Sequence, residues 1–169
     1  MTAVDGQRLS IRNQRRETTR QAGQSRVSLA GGLEQALNNS GDGDVESLLR
    51  ALLAANQLLI QYNELDIAAS DEEVDAIYDR FDEAAGELDV NLAILEAQPS
   101  PFIRDQADVL IGYGDGADGV FELRKAELAA IEEADIFASD ARTAATALVA
   151  GVEAFKQQVA NRVDEASSA

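Results

Sequence analysis

Apolar residues recur every three or four positions along most of this chain, which is the spacing of a helix that buries one face. The pattern predicts five helical segments. The first runs from about residue 4 to residue 37, and the second runs from Val45 to about Asp66. The apolar stripe of the second segment is predicted to contain Leu49, Leu52, Leu53, Leu59 and Ile60.

Helix-start signals place the other three segments. Ser70 and Glu73 fit a capping box, and the pair Ser100-Pro101 is typical of a first helical turn. Ser139-Asp140 is the expected cap of a fifth segment. The predicted stripes contain Val74, Ile77, Phe81, Ala84, Leu88 and Leu95 in the third segment; Ile103, Ala107, Leu110, Ala117, Phe121, Leu128 and Ile131 in the fourth; and Ala141, Ala145, Leu148, Val152, Phe155, Val159 and Arg162 in the fifth.

Glycines mark two places where a helix is weakened. The run Asn38 to Gly43 is a dense turn signal, and Asp44 behind it is a plausible cap. Four glycines in eight residues, Gly112, Gly114, Gly116 and Gly119, interrupt the fourth segment. Each costs about 1 kcal/mol in a helix, so they require a kink, close helix packing or room for a ligand.

These elements predict an all-α fold. Short loops, with turns near 67–70 and 98–100, favour an antiparallel up-and-down bundle related to the four-helix bundle. We expect a single domain over residues 1–169. It comprises an arginine-rich first segment and turn (1–44) and a main bundle (45–169).

Charge and composition argue against several classes of binding partner and of chemistry. The net charge is −17, so neither nucleic acid nor direct adsorption to an anionic membrane is expected. The chain has neither cysteine nor histidine, which removes the commonest nucleophile–base pairs and metal ligands. We therefore expect no enzymatic activity, no cofactor and no metal site. No apolar run reaches the ~20 residues that span a bilayer.

Polar residues on the apolar stripes are the candidate functional groups. Asn56 and Asn63 align with the second stripe, and Arg124 lies between Phe121 and Leu128 on the fourth. One interpretation is structural: the asparagines set helix register, and Arg124 reaches solvent or pairs with an acid. The other is a polar pocket between helices, which these residues would form together with Gln57, Tyr62, Tyr113 and Arg142.

Several stretches resemble the extracytoplasmic sensor domains of bacterial chemoreceptors and some sensor histidine kinases, of the four-helix-bundle or helical-bimodular type. They are residues 48–62 (LLRALLAANQLLIQY), the acidic turn Ser70 to Glu73, residues 113–127, residues 134–136 and residues 141–149. The resemblance covers roughly residues 45–160 and consists of spacing and residue type. The arginine-rich start and the glycine run at 112–119 depart from it.

The resemblance implies a periplasmic ligand-binding domain of a membrane receptor, attached through membrane-spanning helices that this sequence does not include. It implies a small polar solute, an organic acid or an amino acid, bound between helices. It also implies a homodimer, which we expect to be weak and parallel with the first segment at its interface. The site residues carried over from the resemblance or the pocket hypothesis are Arg50, Asn56, Tyr62, Tyr113, Arg124 and Arg142.

The competing hypothesis is an intracellular structural or adaptor helical protein with no small-molecule ligand. It explains the composition equally well, and it predicts a dry core together with an exposed apolar stripe. The sensor hypothesis instead requires a polar cavity between helices.

Overall fold

The computed structural model describes residues 3–40, 43–95, 100–116 and 118–167, with side chains except at 3–5 and 165. Five helices account for the regular structure in these ranges: α1 (Ala3–Asn39), α2 (Val45–Glu64), α3 (Asp71–Ala93), α4 (Pro101–Gly112) and α5 (Val120–Ser167). The prediction of an all-α chain is confirmed. Contacts divide the chain into two compact units, Met1–Ala130 and Ile131–Ala169. The single domain over residues 1–169 stays a prediction.

A local sequence signal, the capping box, explains where α3 begins. The Ser70 hydroxyl accepts a hydrogen bond from the Glu73 amide at 3.2 Å, and the Glu73 carboxylate accepts one from the Ala69 amide at 2.6 Å. This is a capping box whose return bond reaches one residue further back than usual. The turn expected near 67–70 therefore joins α2 and α3. Of the turn expected near 98–100, only Ser100 lies within the described residues.

The buried face of α2 differs from the predicted stripe. Leu49, Leu53 and Ile60 are about half exposed, while α2 buries Leu48, Ala51, Ala54, Ala55, Leu58, Gln61 and Tyr62. The predicted stripe was wrong at Leu49, Leu53 and Ile60 because it followed the bulky residues, while its other two members, Leu52 and Leu59, are partly buried. The buried face instead uses alanines, whose small side chains allow neighbouring helices to approach closely, and the large ring of Tyr62.

The core of the first unit is aromatic where α2, α3 and α5 meet. The rings of Tyr62, Phe81 and Phe121 lie with their centroids 5.1–6.3 Å apart, and the Tyr78 ring packs on Phe81 and Phe121. The stripe predicted for the third segment is confirmed, since every one of its residues is buried. Ile103, Ala107 and Leu110 of α4 are buried as predicted, and Ala117 lies outside the described residues.

The glycine run ends one helix and begins the next. The predicted fourth segment was wrong in continuing to Ile131, because α4 ends at Gly112 and α5 begins at Val120. A Cβ on Gly114 would overlap the Phe81 ring, and one on Gly119 would overlap the Gly114 carbonyl. Gly116 has a φ of +84°, which side chains disfavour. The glycines thus let a tight turn lie against the aromatic core.

The second unit is the continuation of α5, and its described residues form one unbroken helix up to Ser167. Ser139 and Asp140 lie inside this helix, so the fifth helix does not start there as predicted. The apolar stripe predicted for this segment is exposed, with Leu148 at 69% and Phe155 at 65%. Among the described helices, none is both long enough and apolar enough to cross a membrane.

The glycine turn predicts a paired mutational effect. Gly114→Ala should lower the free energy of unfolding by about 1–3 kcal/mol, because the added methyl must displace the Phe81 ring. Gly112→Ala is the control, since its Cβ meets no atom within 4 Å. It should leave stability unchanged or raise it by about 0.5–1 kcal/mol. Urea unfolding followed by circular dichroism measures both, and equal effects would contradict the packing role.

Candidate functional site

A cavity of about 540 Å³ lies in the first unit, between the C-terminal half of α1, the start of α2 and the start of α4. Its volume falls within the range of pockets that hold small molecules. Three helix ends therefore contribute to one concave surface. The lining residues are Ser28, Gly31, Gly32, Gln35, Ala36, Asn39, Ser40, Asp44, Leu48, Leu95, Ser100, Phe102 and Ile103.

Two consecutive glycines of α1 shape this cavity. A Cβ on Gly32 would lie 3.0 Å from Cγ1 of Ile103, so the glycine lets α1 and α4 approach closely. A Cβ on Gly31 would meet no atom within 4 Å, so at this position the glycine leaves open space. The pair therefore brings the walls together on one side and keeps room on the other.

The described residues of the cavity wall include polar groups but no cationic side chain. Serine hydroxyls and the amides of Gln35 and Asn39 supply neutral hydrogen-bonding groups, and Asp44, 8% exposed, is the one ionisable residue among the described residues that line the cavity. Leu48, Leu95 and Ile103 are buried and supply an apolar surface. The C-terminal carbonyls of α1 carry partial negative charge, and the N-terminal amides of α4 carry partial positive charge. A ligand with an ammonium group, a carboxylate and an apolar body would match this distribution.

None of the six residues predicted for the site lines this cavity. Arg50 is exposed on α2, where its guanidinium donates to Glu46 at 2.6 and 3.1 Å. Arg142 is exposed in the second unit. Two of the three arginines expected to hold a ligand, Arg50 and Arg142, thus lie on solvent-exposed surfaces.

The predicted polar residues of α2 have partners within the protein. The half-buried Asn56 side chain accepts a hydrogen bond from the Arg26 guanidinium, which links α2 to α1. Tyr62 is fully buried, and its hydroxyl donates to the Leu110 carbonyl. Tyr113 is partly buried against the same core at the end of α4. These residues therefore tie helices together. Gln57 lines a separate polar cleft of about 170 Å³ with Gln61, Arg80, Glu83, Ala84 and Glu87.

Arg124 belongs to a buried ion network in the first unit. Its Nη1 donates to Glu127 at 2.8 Å, while Nε and Nη2 donate to the Ala68 carbonyl at 3.1 and 2.5 Å. Arg15 of α1 donates to the same Glu127 oxygen at 3.0 Å and to Asp66 at 2.5 Å. Arg15, Arg124 and Glu127 are all at least 91% buried. These contacts favour the structural interpretation of Arg124, which pairs with an acid and a carbonyl.

Sequence reasoning missed the cavity and Arg15. Arg15 appeared as one member of a basic first segment, and nothing in its spacing separated it from Arg12 or Arg16. The pair Gly31-Gly32 inside a predicted helix was an available signal, because adjacent helical glycines indicate close packing or space. Asp44 was predicted only as a cap. It occupies the N-cap position of α2 but makes no side-chain capping bond.

Two tyrosines of the aromatic cluster are electrostatically perturbed. Burial, followed by the charge of Asp115, raises the pKa of Tyr62 far above its ordinary value. The Asp115 charge is the main cause that raises the pKa of Tyr78, whose hydroxyl donates to Asp115 at 3.3 Å. Both phenols are thus held in the protonated form, as the aromatic core requires.

The ion network predicts a strong effect at Glu127. Glu127→Gln should lower the free energy of unfolding by about 3–5 kcal/mol, because two buried guanidiniums lose their shared carboxylate. Glu46→Gln removes the exposed partner of Arg50 and should change stability by no more than about 0.5 kcal/mol. Urea titration of both variants decides the point. A Glu127→Gln loss as small as the control would refute a stabilising role for the network.

The raised pKa of Tyr62 predicts that the free energy of unfolding depends on pH in the alkaline range. The pKa of Tyr62 is raised in the folded state, so the unfolded phenol loses its proton first, near pH 10. The stabilisation is complete below that pH and falls as the pH rises above it. We expect the free energy of unfolding to decrease between about pH 9.5 and 11 and Tyr62→Phe to decrease less steeply over the same range. Chemical denaturation at each pH measures both slopes, and identical slopes would contradict the assignment.

Comparison with known proteins yields no relative. No protein-family model matches the chain, and neither a curated protein nor a solved structure matches it.

Proposed function

We propose that this chain is the extracytoplasmic ligand-binding domain of a transmembrane sensor and that it binds a small zwitterion, an amino acid, in the cavity between α1, α2 and α4. The observation that carries the proposal is the cavity itself, about 540 Å³ with a mixed polar and apolar wall. Concave sites of this size and composition between helices are where small molecules bind.

The charges around the cavity support an amino acid over a simple organic acid. Asp44 and the C-terminal carbonyls of α1 attract an ammonium group, while the start of α4 attracts a carboxylate. Within the described part of the chain, no arginine or lysine lines the cavity, so a dianion would lack a cationic partner there. An apolar side chain of the ligand would pack on Leu48, Leu95 and Ile103.

A sensor of this kind needs a helix arrangement that can change when the ligand binds. α1 to α4 and the start of α5 would form an antiparallel up-and-down bundle, which a ligand between helices could bias towards one of two packings. Signalling requires that the ligand bind one packing more tightly than the other, because equal affinity shifts nothing. In such a receptor the chain would act outside the membrane, attached through spanning helices and paired with a second copy.

A structural or adaptor protein is the second candidate. The observation that favours it is the exposed apolar surface of the second unit, where Leu148, Val152, Phe155 and Val159 are all 45% exposed or more. Exposed stripes of this kind mark protein–protein contacts. The adaptor hypothesis requires no ligand in the cavity of the first unit, so the two candidates differ in a binding measurement.

The proposal predicts binding that a cavity-filling substitution removes. We expect at least one apolar amino acid from a thermal-shift screen to stabilise the chain, by about 2.7 kcal/mol at 100 times its dissociation constant. Gly31→Met should fill the open space without disturbing packing, and it should weaken binding of that amino acid at least about tenfold. Titration calorimetry measures the dissociation constants.

The matched control is Gly23→Met. Gly23 is a helical glycine of α1 whose Cβ also meets no atom within 4 Å, and it does not line the cavity. The Gly23→Met variant should bind the amino acid with the affinity of the unmodified chain. A screen in which no amino acid stabilises the chain, or equal weakening by both variants, would refute this site and favour the adaptor hypothesis.

A further inference from the structure

The second unit exposes a long apolar stripe on a helix. Leu148 is 69% exposed, Phe155 65%, and Val149 and Val163 are also more than half exposed. A lone helix is only marginally stable in water, since most helical stability in proteins comes from packing an apolar face. The stripe therefore calls for a partner, and its pattern indicates which one.

The pattern is a heptad repeat. Between Ile131 and Arg162 the stripe advances by alternating steps of three and four residues, and this spacing keeps one seam of a helix facing a partner helix. Three of the five first heptad positions carry the β-branched Ile131, Val152 and Val159, and one of the five fourth positions carries Leu148. β-branched residues at the first position with leucine at the fourth favour two parallel strands. The seam residues are Ile131, Ala134, Ala138, Ala141, Ala145, Leu148, Val152, Phe155, Val159 and Arg162.

The acidic residues leave the seam free for a second copy of the same chain. The segment 131–164 contains six acidic residues, and five of them, all except Asp135, lie on the helix face away from the seam: Glu132, Glu133, Asp140, Glu153 and Asp164. The pairs that flank the seam of a parallel dimer would be Phe137 with Arg142, Ala144 with Val149, Gly151 with Lys156 and Gln158 with Val163. None of these pairs brings like charges together, so a chain of charge −17 can still self-associate here.

The exposed surface is large enough for a dimer. Seven large apolar side chains on or beside the seam are at least 45% exposed: Phe137, Leu148, Val149, Val152, Phe155, Val159 and Val163. At roughly 100 Å² each they offer on the order of 700 Å² per copy, close to the ~800 Å² per partner of a standard interface. Arg162 is the charged exception at the end of the seam, and it lowers the stability of a parallel pair because it faces its own counterpart.

We propose that residues 131–162 form a parallel, in-register two-stranded coiled coil with a second copy of this chain. The interface differs from the one that the sequence suggested, which placed the first segment between the copies. The proposal concerns the second unit alone and is independent of ligand binding in the first. In the parallel register, each seam residue faces its own counterpart.

Cysteine cross-linking of the full chain tests the register. The sequence contains no cysteine, so only the introduced thiols can form a disulfide. Ala141→Cys places a thiol on the seam, and Ala150→Cys places one on the opposite face of the same helix. Under mild oxidation, the Ala141→Cys variant should form a covalent dimer at least about tenfold faster than the Ala150→Cys variant. Equal rates, or no covalent dimer of the Ala141→Cys variant while sedimentation shows association, would overturn the parallel seam.

Two variants that each introduce one charge, one on the seam and one on the opposite face, test the dimer interface. Equilibrium sedimentation measures their association in about 0.5 M salt, where repulsion between the acidic chains is screened. Leu148→Glu should raise the dimer dissociation constant at least about tenfold, because it places a carboxylate in the seam. Ile136→Glu changes another exposed apolar residue, on the opposite face, and should raise the dimer dissociation constant less than about threefold. Circular dichroism confirms that both variants remain helical. An unmodified chain that is monomeric at millimolar concentration, or equal effects of both variants, would overturn the proposal.

Discussion

The packing of the first unit depends on how it accommodates two buried guanidiniums. Arg15 of α1 and Arg124 of α5 share one carboxylate oxygen of Glu127, and the Ala68 carbonyl and Asp66, both in the turn after α2, supply further acceptors. Desolvating these charges is expensive, so the arrangement is stable only when every donor meets its acceptor. Helix α1, the turn after α2 and the start of α5 are thereby held in one register.

Glycines act at two other places in this unit, with opposite consequences. Gly114 and Gly119 remove volume so that the turn between α4 and α5 can lie on the aromatic core. Gly31 and Gly32 remove volume from α1, and one of them leaves space that nothing in the described chain fills. The first pair produces tight packing and the second a cavity with Asp44 at its wall. A Cβ at either place would change the shape of the core or of the proposed site.

The second unit poses a different physical problem, because its large apolar residues from Ile136 onward are exposed. The same three-and-four spacing that buries Val74, Ile77 and Phe81 of α3 leaves Leu148 and Phe155 exposed. Amphipathic spacing specifies that a helix has an apolar face, and it does not specify whether that face meets the same chain or another. In the proposed coiled coil, the same apolar face of a second copy of the chain covers this surface.

Local chemistry in the sequence determined the helical class, the start of α3 at its capping box and the position of the apolar face on α3, because each depends on neighbours within a few residues. It did not determine the buried face of α2, since bulky Leu49 and the small Ala51 compete for the core and only the facing helices decide. Arg124 stood out in sequence, yet its acceptor Ala68, and Arg15 as the second donor to Glu127, came next to it only on folding. The cavity was invisible for the same reason: it is space between residues as far apart as Ser28 and Ile103, and only tertiary packing creates such space.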